Sequence, residues 1–313
     1  MKMNHSLKVR FAGHETFTLK QLWLRKAVRF VQQAVKEGRQ ANFRGDAAIV
    51  ELGLGKNMVS SLRFWSVACG FLNSGCELTP TGLALKIFGT NDSDGLDPYI
   101  QNLTTSWVVH WNLCSDPSKL TVFWYLFNKI NKSSISRSEF LEDLSQFVKV
   151  NDFHVTENTL KRDVEVCIRS YAPLITGRAK DSFSEECAET LLGGLGLMEF
   201  RSRDVIEVSR TRRYSLPTSI FLWSILDMWE KDEELRDCQT LDWFQLAYAE
   251  NSPGRIFKLS ENDLSDRLEQ SNSLTNNTLV WTDQLGIKTL VRRTNDPHEL
   301  SALKESLLVA SYQ

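Results

Sequence analysis

Apolar residues along this chain recur mostly at helical spacing. In TLKQLWLRKAVRFVQQAVKE (18–37), Leu22, Leu24, Ala27, Val28, Val31 and Val35 fall on one stripe. That predicts an amphipathic helix ending near Gly38, with Lys20, Arg25, Lys26, Arg29 and Lys36 on its polar side. DAAIVELG (46–53) predicts a short second helix with Asp46 at its start. Lys56 to Leu72 then resumes the helical period through Met58, Val59, Leu62, Trp65, Ala68 and Cys69. Gly53 and Gly55 break the pattern between them, and glycine permits the positive φ of a tight turn. CELTPTGLALKIFG (76–89) adds an extended piece, a stop at Pro80 and another helix.

The same theme returns twice. TTSWVVHWNLC and LTVFWYLFNKI are strongly apolar helices, whose Trp107, Trp111, Phe123, Trp124, Tyr125 and Phe127 belong in a core. SRSEFLEDLSQFVK and TENTLKRDVEVCIRSYA predict a helix–loop–helix, with Thr156 or Glu157 as cap of the second helix. SEECAETLL (184–192) reads as a helix. A glycine-rich turn follows it, then two short strands around Ser202–Asp204 that carry Arg201, Arg203, Arg210, Arg212 and Arg213. Either these arginines form the wing of a winged helix, or they guard a strand edge against aggregation. TSIFLWSILDMWEK is a core helix, and LSENDLSDRLEQ, LTNNTLVWTDQLG and IKTLVRRT complete a third unit. The expected fold is mainly α: several winged-helix or helix-turn-helix-like units with small β-hairpins. The expected division is 1–118, 119–230 and 231–313.

Composition narrows the function. Of the 313 residues, 42% are apolar and 24% charged, as in an ordinary globular protein. No apolar run predicts a membrane span and no signal-peptide core stands at the start, so a cytoplasmic protein is expected. The six cysteines form no C-x-x-C pair, and free thiols, mostly buried, are expected. Cys114 and Cys187 could serve sulfur chemistry, but nothing local argues for it. The net charge of −2 hides an asymmetry. Residues 1–90 hold 13 Lys and Arg against 5 Asp and Glu, a net of +8, and the remainder holds 24 against 34, a net of −10. A basic first third is the footprint of a polyanion-binding face.

ELGLGK (51–56) is not a phosphate loop. One residue separates its glycines where four are needed, and Asn57 follows Lys56 where Ser or Thr would hold magnesium. Helix, glycine turn and longer helix make a helix-turn-helix, whose second helix would meet DNA with its N-terminal residues. The candidate DNA contacts are Arg44, Lys56, Asn57, Ser60, Ser61, Arg63, Lys161, Arg162, Arg212 and Arg213.

Several motifs together resemble one family. They are FAGHETF (11–17), WLRKAV (23–28), LGLGKNMVSSLRFW (52–65), LTPTGLALKIFG (78–89), DPYIQNLTTSWVVHWNL (97–113), FNKI (127–130) and TLKRDVEVCIRSY (159–171). In order and spacing they resemble the bacterial family called domain of unknown function 4007, over at least residues 11–200. The resemblance implies a place with DNA phosphorothioation machinery, in which a backbone oxygen is replaced by sulfur. It implies DNA nicking, which opens the backbone for sulfur, and work beside a cysteine desulfurase, an ATPase and a protein similar to phosphoadenylyl-sulfate reductases.

For nicking, the candidate residues are His14 as general base and Glu15 as ligand of Mg2+ or Mn2+. The competing reading makes the same His-Glu-Thr segment a helix N-cap. Asp92, Asp94 and Asp97 read as a solvated turn, and Asp163 as a partner of cations on its own helix face. Three functions stay open: a DNA-nicking enzyme, a non-catalytic DNA-binding subunit that recruits sulfur-transfer proteins, and a transcriptional regulator.

Overall fold

A computed structural model describes residues 7–75, 77–90, 94–172, 190–284 and 286–313. The helix expected over 184–192 falls mostly outside them, as do Cys76, Cys187 and Asp92. The chain divides into two compact units. One takes the described residues of Met1–Leu126 and Ser134–Val208, the other Phe127–Ser133 and Ser209–Gln313.

The first unit opens with α1 (Trp23–Lys36), α2 (Asp46–Leu52) and α3 (Lys56–Ala68). Helix α1 begins five residues later than its pattern predicts. Leu22 and Val35 are exposed, and the buried stripe runs through Trp23, Leu24, Ala27, Val28, Phe30, Val31 and Ala34. Gly53 caps α2 in the left-handed region, at φ 62°. Gly55 is extended, so only the first glycine of the turn needs its missing Cβ. After α3 the extended piece shrinks to a single bridge, Leu72 with Pro80, before α4 (Gly82–Phe88). Helix α5 (Leu103–Cys114) is buried almost all round, and α6 (Thr121–Asn128) follows it. Trp107, Trp111, Phe123, Trp124 and Phe127 are buried as expected; Tyr125 is half-buried and donates to Asp143 O at 3.0 Å.

Strand β1 (Ser134–Ser136) leads into α7 (Arg137–Val150), where Ser136 and Glu139 close a capping box. Thr156 caps α8 (Glu157–Tyr171). Strands β2 (Glu199–Phe200) and β3 (Val205–Glu207) complete an antiparallel sheet of order β1-β3-β2. Among the described residues a strand, two helices and a hairpin follow in order, and the hairpin's last strand pairs with the first. The hairpin is shorter than its arginine pattern suggests: Arg201 and Arg203 lie in or beside its turn, and Arg210, Arg212 and Arg213 lie beyond it in the second unit.

The second unit repeats the order. Helix α9 (Thr218–Lys231) is buried along its length and precedes β4 (Thr240–Asp242). Helices α10 (Trp243–Tyr248), α11 (Pro253–Ile256), α12 (Glu261–Glu269) and α13 (Ser271–Leu274) come next. Strands β5 (Leu279–Gln284) and β6 (Ile287–Arg292) close a sheet of order β4-β6-β5. A last helix, α14 (Pro297–Ala310), packs on α9. Among the described residues Cys69, Cys114 and Cys167 are buried free thiols, and burial pushes Cys69 and Cys167 well above the usual thiol range. No helix among the described residues is long and apolar enough to cross a membrane.

Candidate nucleic-acid interface

Helix α3 has two faces. Val59, Leu62, Phe64, Trp65 and Ala68 point into the core, while Lys56, Asn57 and Ser60 are exposed and Arg63 is half-exposed. Ser61 belongs to the inner face. It is fully buried, and its hydroxyl donates to His14 O at 2.8 Å. Arg44 is exposed just before α2.

Some cations of the basic first third are tied down within the fold and others are not. Those of α1 are largely tied to the fold. Arg29 donates to the carbonyls of Phe88 at 2.9 Å and Thr90 at 3.0 Å, Lys26 to Leu52 O at 3.3 Å, and Arg25 lies over the Tyr99 ring at 4.6 Å. By contrast, Arg10, Arg44, Lys56 and Arg63 have no carboxylate partner among the described residues. The Arg10 guanidinium stacks on Phe64 at 4.5 Å. Burial first, and then the neighbouring Arg63, hold it below its ordinary pKa. Two guanidiniums kept near one another without an acid are a standing electrostatic cost that a bound anion relieves.

Beside α3 lies the GHETF loop. It is not a helix cap, because α1 starts at Trp23 without a side-chain cap. Three of its residues, and Ala12 just before it, have positive φ: Ala12 at 60°, Gly13 at 99°, Glu15 at 49° and Thr16 at 65°. A Cβ on Gly13 would stand 2.4 Å from the Phe64 ring. Non-glycine residues in this region cost roughly 1–3 kcal/mol each, so the surroundings must hold the loop. They do. His14 is 2% exposed, with Nε2 at 2.9 Å from Asp163 Oδ1. The Ala12 N–H donates to Asp163 Oδ2 at 2.9 Å, and Arg169 donates to Thr16 O at 2.8 Å. The Thr16 N–H donates to His14 Nδ1 at 3.1 Å, which leaves the ring proton on Nε2, facing the carboxylate. Both ring nitrogens are therefore engaged within the fold, and Glu15 is left exposed at the surface.

Asp163 therefore turns inward to the loop rather than pairing along its own helix. On the outer side of α8, Lys161 pairs with Glu157 at 2.7 Å, and Arg162 is exposed with no carboxylate partner among the described residues. In the second unit Arg212 pairs with Asp266 at 2.8 Å. Arg213 is buried and donates to Ser209 O at 2.8 Å and Phe257 O at 3.2 Å. Of the acidic turn, Asp94 is exposed, but Asp97 is buried. It accepts from the Gln101 and Asn102 N–H groups and from the Thr105 hydroxyl at 2.6 Å, so it organises the start of α5 rather than standing in solvent. Arg10 was not anticipated from sequence; no spacing rule links positions 10 and 63. Among the described residues no group of three or more His, Cys, Asp or Glu side chains is placed to hold a metal.

A family model described as "Protein of unknown function (DUF4007)" matches residues 11–311. No curated protein matches the chain. A crystal structure of SspB is similar, with 27% identity and a TM-score of 0.77 over 97% of this chain and 87% of that one. A magnesium ion-bound crystal structure of SspB has 24% identity and a TM-score of 0.75, over 97% of both chains; at that identity the likeness is one of fold.

Proposed function

The chain belongs to the DUF4007 family, and from that footing we propose that it is the DNA-binding component of a DNA phosphorothioation system, acting where the backbone is opened for sulfur. The likeness to SspB supports the placement. The observation that carries DNA binding is the set of cations without carboxylate partners at α3: Arg10, Arg44, Lys56 and Arg63. Side chains at the start of such a helix meet phosphates and base edges in the major groove. Asn57 and Ser60 are the neutral groups placed to read them. Arg162 on α8 is a further exposed cation without a carboxylate partner among the described residues, and a cysteine desulfurase, an ATPase and a reductase-like protein are the partners this reading implies.

Nicking would be centred on the GHETF loop. Glu15 is its outward carboxylate, and His14, held by Asp163 and Thr16, fixes the loop that presents it. Glu15 fits the donor type of a hard ion, which takes one or two carboxylates together with substrate phosphate oxygens and water. Bound there, Mg2+ or Mn2+ would neutralise charge on the phosphate under attack. The engagement of both His14 nitrogens also favours a second reading, a non-catalytic subunit that binds DNA and recruits the sulfur-transfer proteins.

Supercoiled plasmid with magnesium or manganese separates the two. Open-circle product that disappears in Glu15→Gln supports nicking at this loop. DNA binding without nicking under either metal leaves the recruiting role. A preference of ~10³-fold or more for one promoter over random DNA would point instead to a regulator.

A further inference from the structure

The loop after α1, the middle of α3, Gly75 and residues 77–79 line a pocket of ≈ 200 Å³ in the first unit. Its wall is polar and cationic, formed by Asn42, Arg44, Arg63 and Thr79 over the apolar Phe43 and Leu78. Arg39 also borders it, but Glu37 and Glu51 neutralise that guanidinium at 2.5 and 3.0 Å. Arg44 and Arg63 have no such partner among the described residues. The carboxylate in the wall, Glu77, accepts from the Gln40 amide.

The geometry points to this pocket as a receptor for a nucleotide's terminal phosphate monoester, held by Arg44 and Arg63. Three observations favour a chain end over a passing backbone. A guanidinium matches phosphate oxygens in a two-pronged fork, and two are present. A monoester presents three non-bridging oxygens to the two guanidiniums, whereas a diester presents two. A recess walled by three segments suits a chain end, while a continuous backbone must enter and leave across an open surface. The inference deepens the DNA-binding reading, on which it rests for the source of the nucleotide. That source is either a 5′-phosphorylated DNA end or a free nucleoside monophosphate.

The full chain is titrated with labelled duplexes ending in 5′-phosphate or 5′-hydroxyl, and separately with a nucleoside 5′-monophosphate and its nucleoside. A preference of about tenfold for the phosphorylated end, roughly 1.4 kcal/mol, is expected and identifies the DNA end. Tighter binding of the monophosphate than of the nucleoside, without an end preference, identifies the free nucleotide. In Arg44→Gln and Arg63→Gln the ratio of phosphorylated to hydroxyl affinity should fall to about one. No preference in either arm, or a ratio unchanged in both variants, overturns the pocket. Continuous circular duplex is measured in parallel. If it binds while the preference is absent, only this inference fails; if it does not bind while the monophosphate does, only the DNA-binding reading fails.

Discussion

Asp163 shows how much one side chain can hold. Its two oxygens serve His14 and the Ala12 N–H, which fixes the start and middle of the strained turn, while Arg169 holds Thr16 at its end. In Asp163→Asn the amide keeps one acceptor and turns a donor toward a donor. A loss of about 1–3 kcal/mol is expected, read as a lower urea midpoint at unchanged slope. Gly13→Ala should cost a similar amount, roughly 1–3 kcal/mol, because its Cβ would overlap the Phe64 ring. The adjacent Arg212 and Arg213 look alike in sequence. The chain is extended where Thr211 bridges Leu259, and successive side chains of an extended segment point opposite ways. One arginine therefore meets solvent and the other the interior. Arg213→Ala should lower the melting temperature by several degrees, while Arg212→Ala, which loses a surface ion pair, should change stability by about 0.2–1 kcal/mol. Periodicity in the sequence could not separate them, because the bridge that sets their phase is a contact between distant residues.

Helices were the most legible level. Helices α7 and α8 stand close to where their spacing places them, since burial of one face is what forms them, and α9, apolar nearly all round, stands where its apolar run places it. Helix α1 shows the limit: the expected stripe keeps Leu24, Ala27, Val28 and Val31, but packing replaces its Leu22 and Val35 edges with Trp23, Phe30 and Ala34. The docking of α14 on α9 was not legible, because it depends on charges far apart in sequence. Asp227 is buried between Lys231 and Lys304, at 2.6 and 2.7 Å. Burial alone would push its carboxyl up, but the two ammonium groups hold it below the ordinary range. Burial likewise works against the Lys304 ammonium, which Asp227 and Glu230 nonetheless hold above its ordinary value. A carboxyl held low stabilises the fold above its unfolded pKa of about 3.9 and loses that contribution as pH falls through the lower folded value. A lysine held high contributes fully below about 10.4 and loses it as pH rises through the higher folded value. The α9–α14 contact should therefore hold from about pH 4 to about pH 10 and weaken at both ends. Tryptophan fluorescence against pH checks this, with Asp227→Asn expected to remove the acid limb.

At the scale of the whole molecule, two units with separate sheets share one strand–helix–hairpin order, and the sequence divides its charge unevenly between start and remainder. The count of +8 over residues 1–90 pointed to the basic region, but not to which cations remain unneutralised. The fold consumes most of those on α1 and leaves Arg10, Arg44, Lys56 and Arg63 without acids among the described residues. The most direct measurement is the affinity for a random duplex as a function of salt. The logarithm of the binding constant should fall linearly with the logarithm of salt concentration, and Lys56→Gln with Arg63→Gln should reduce the slope by about two. A salt-independent affinity, or a slope that the double variant leaves unchanged, would contradict a phosphate-binding face on α3.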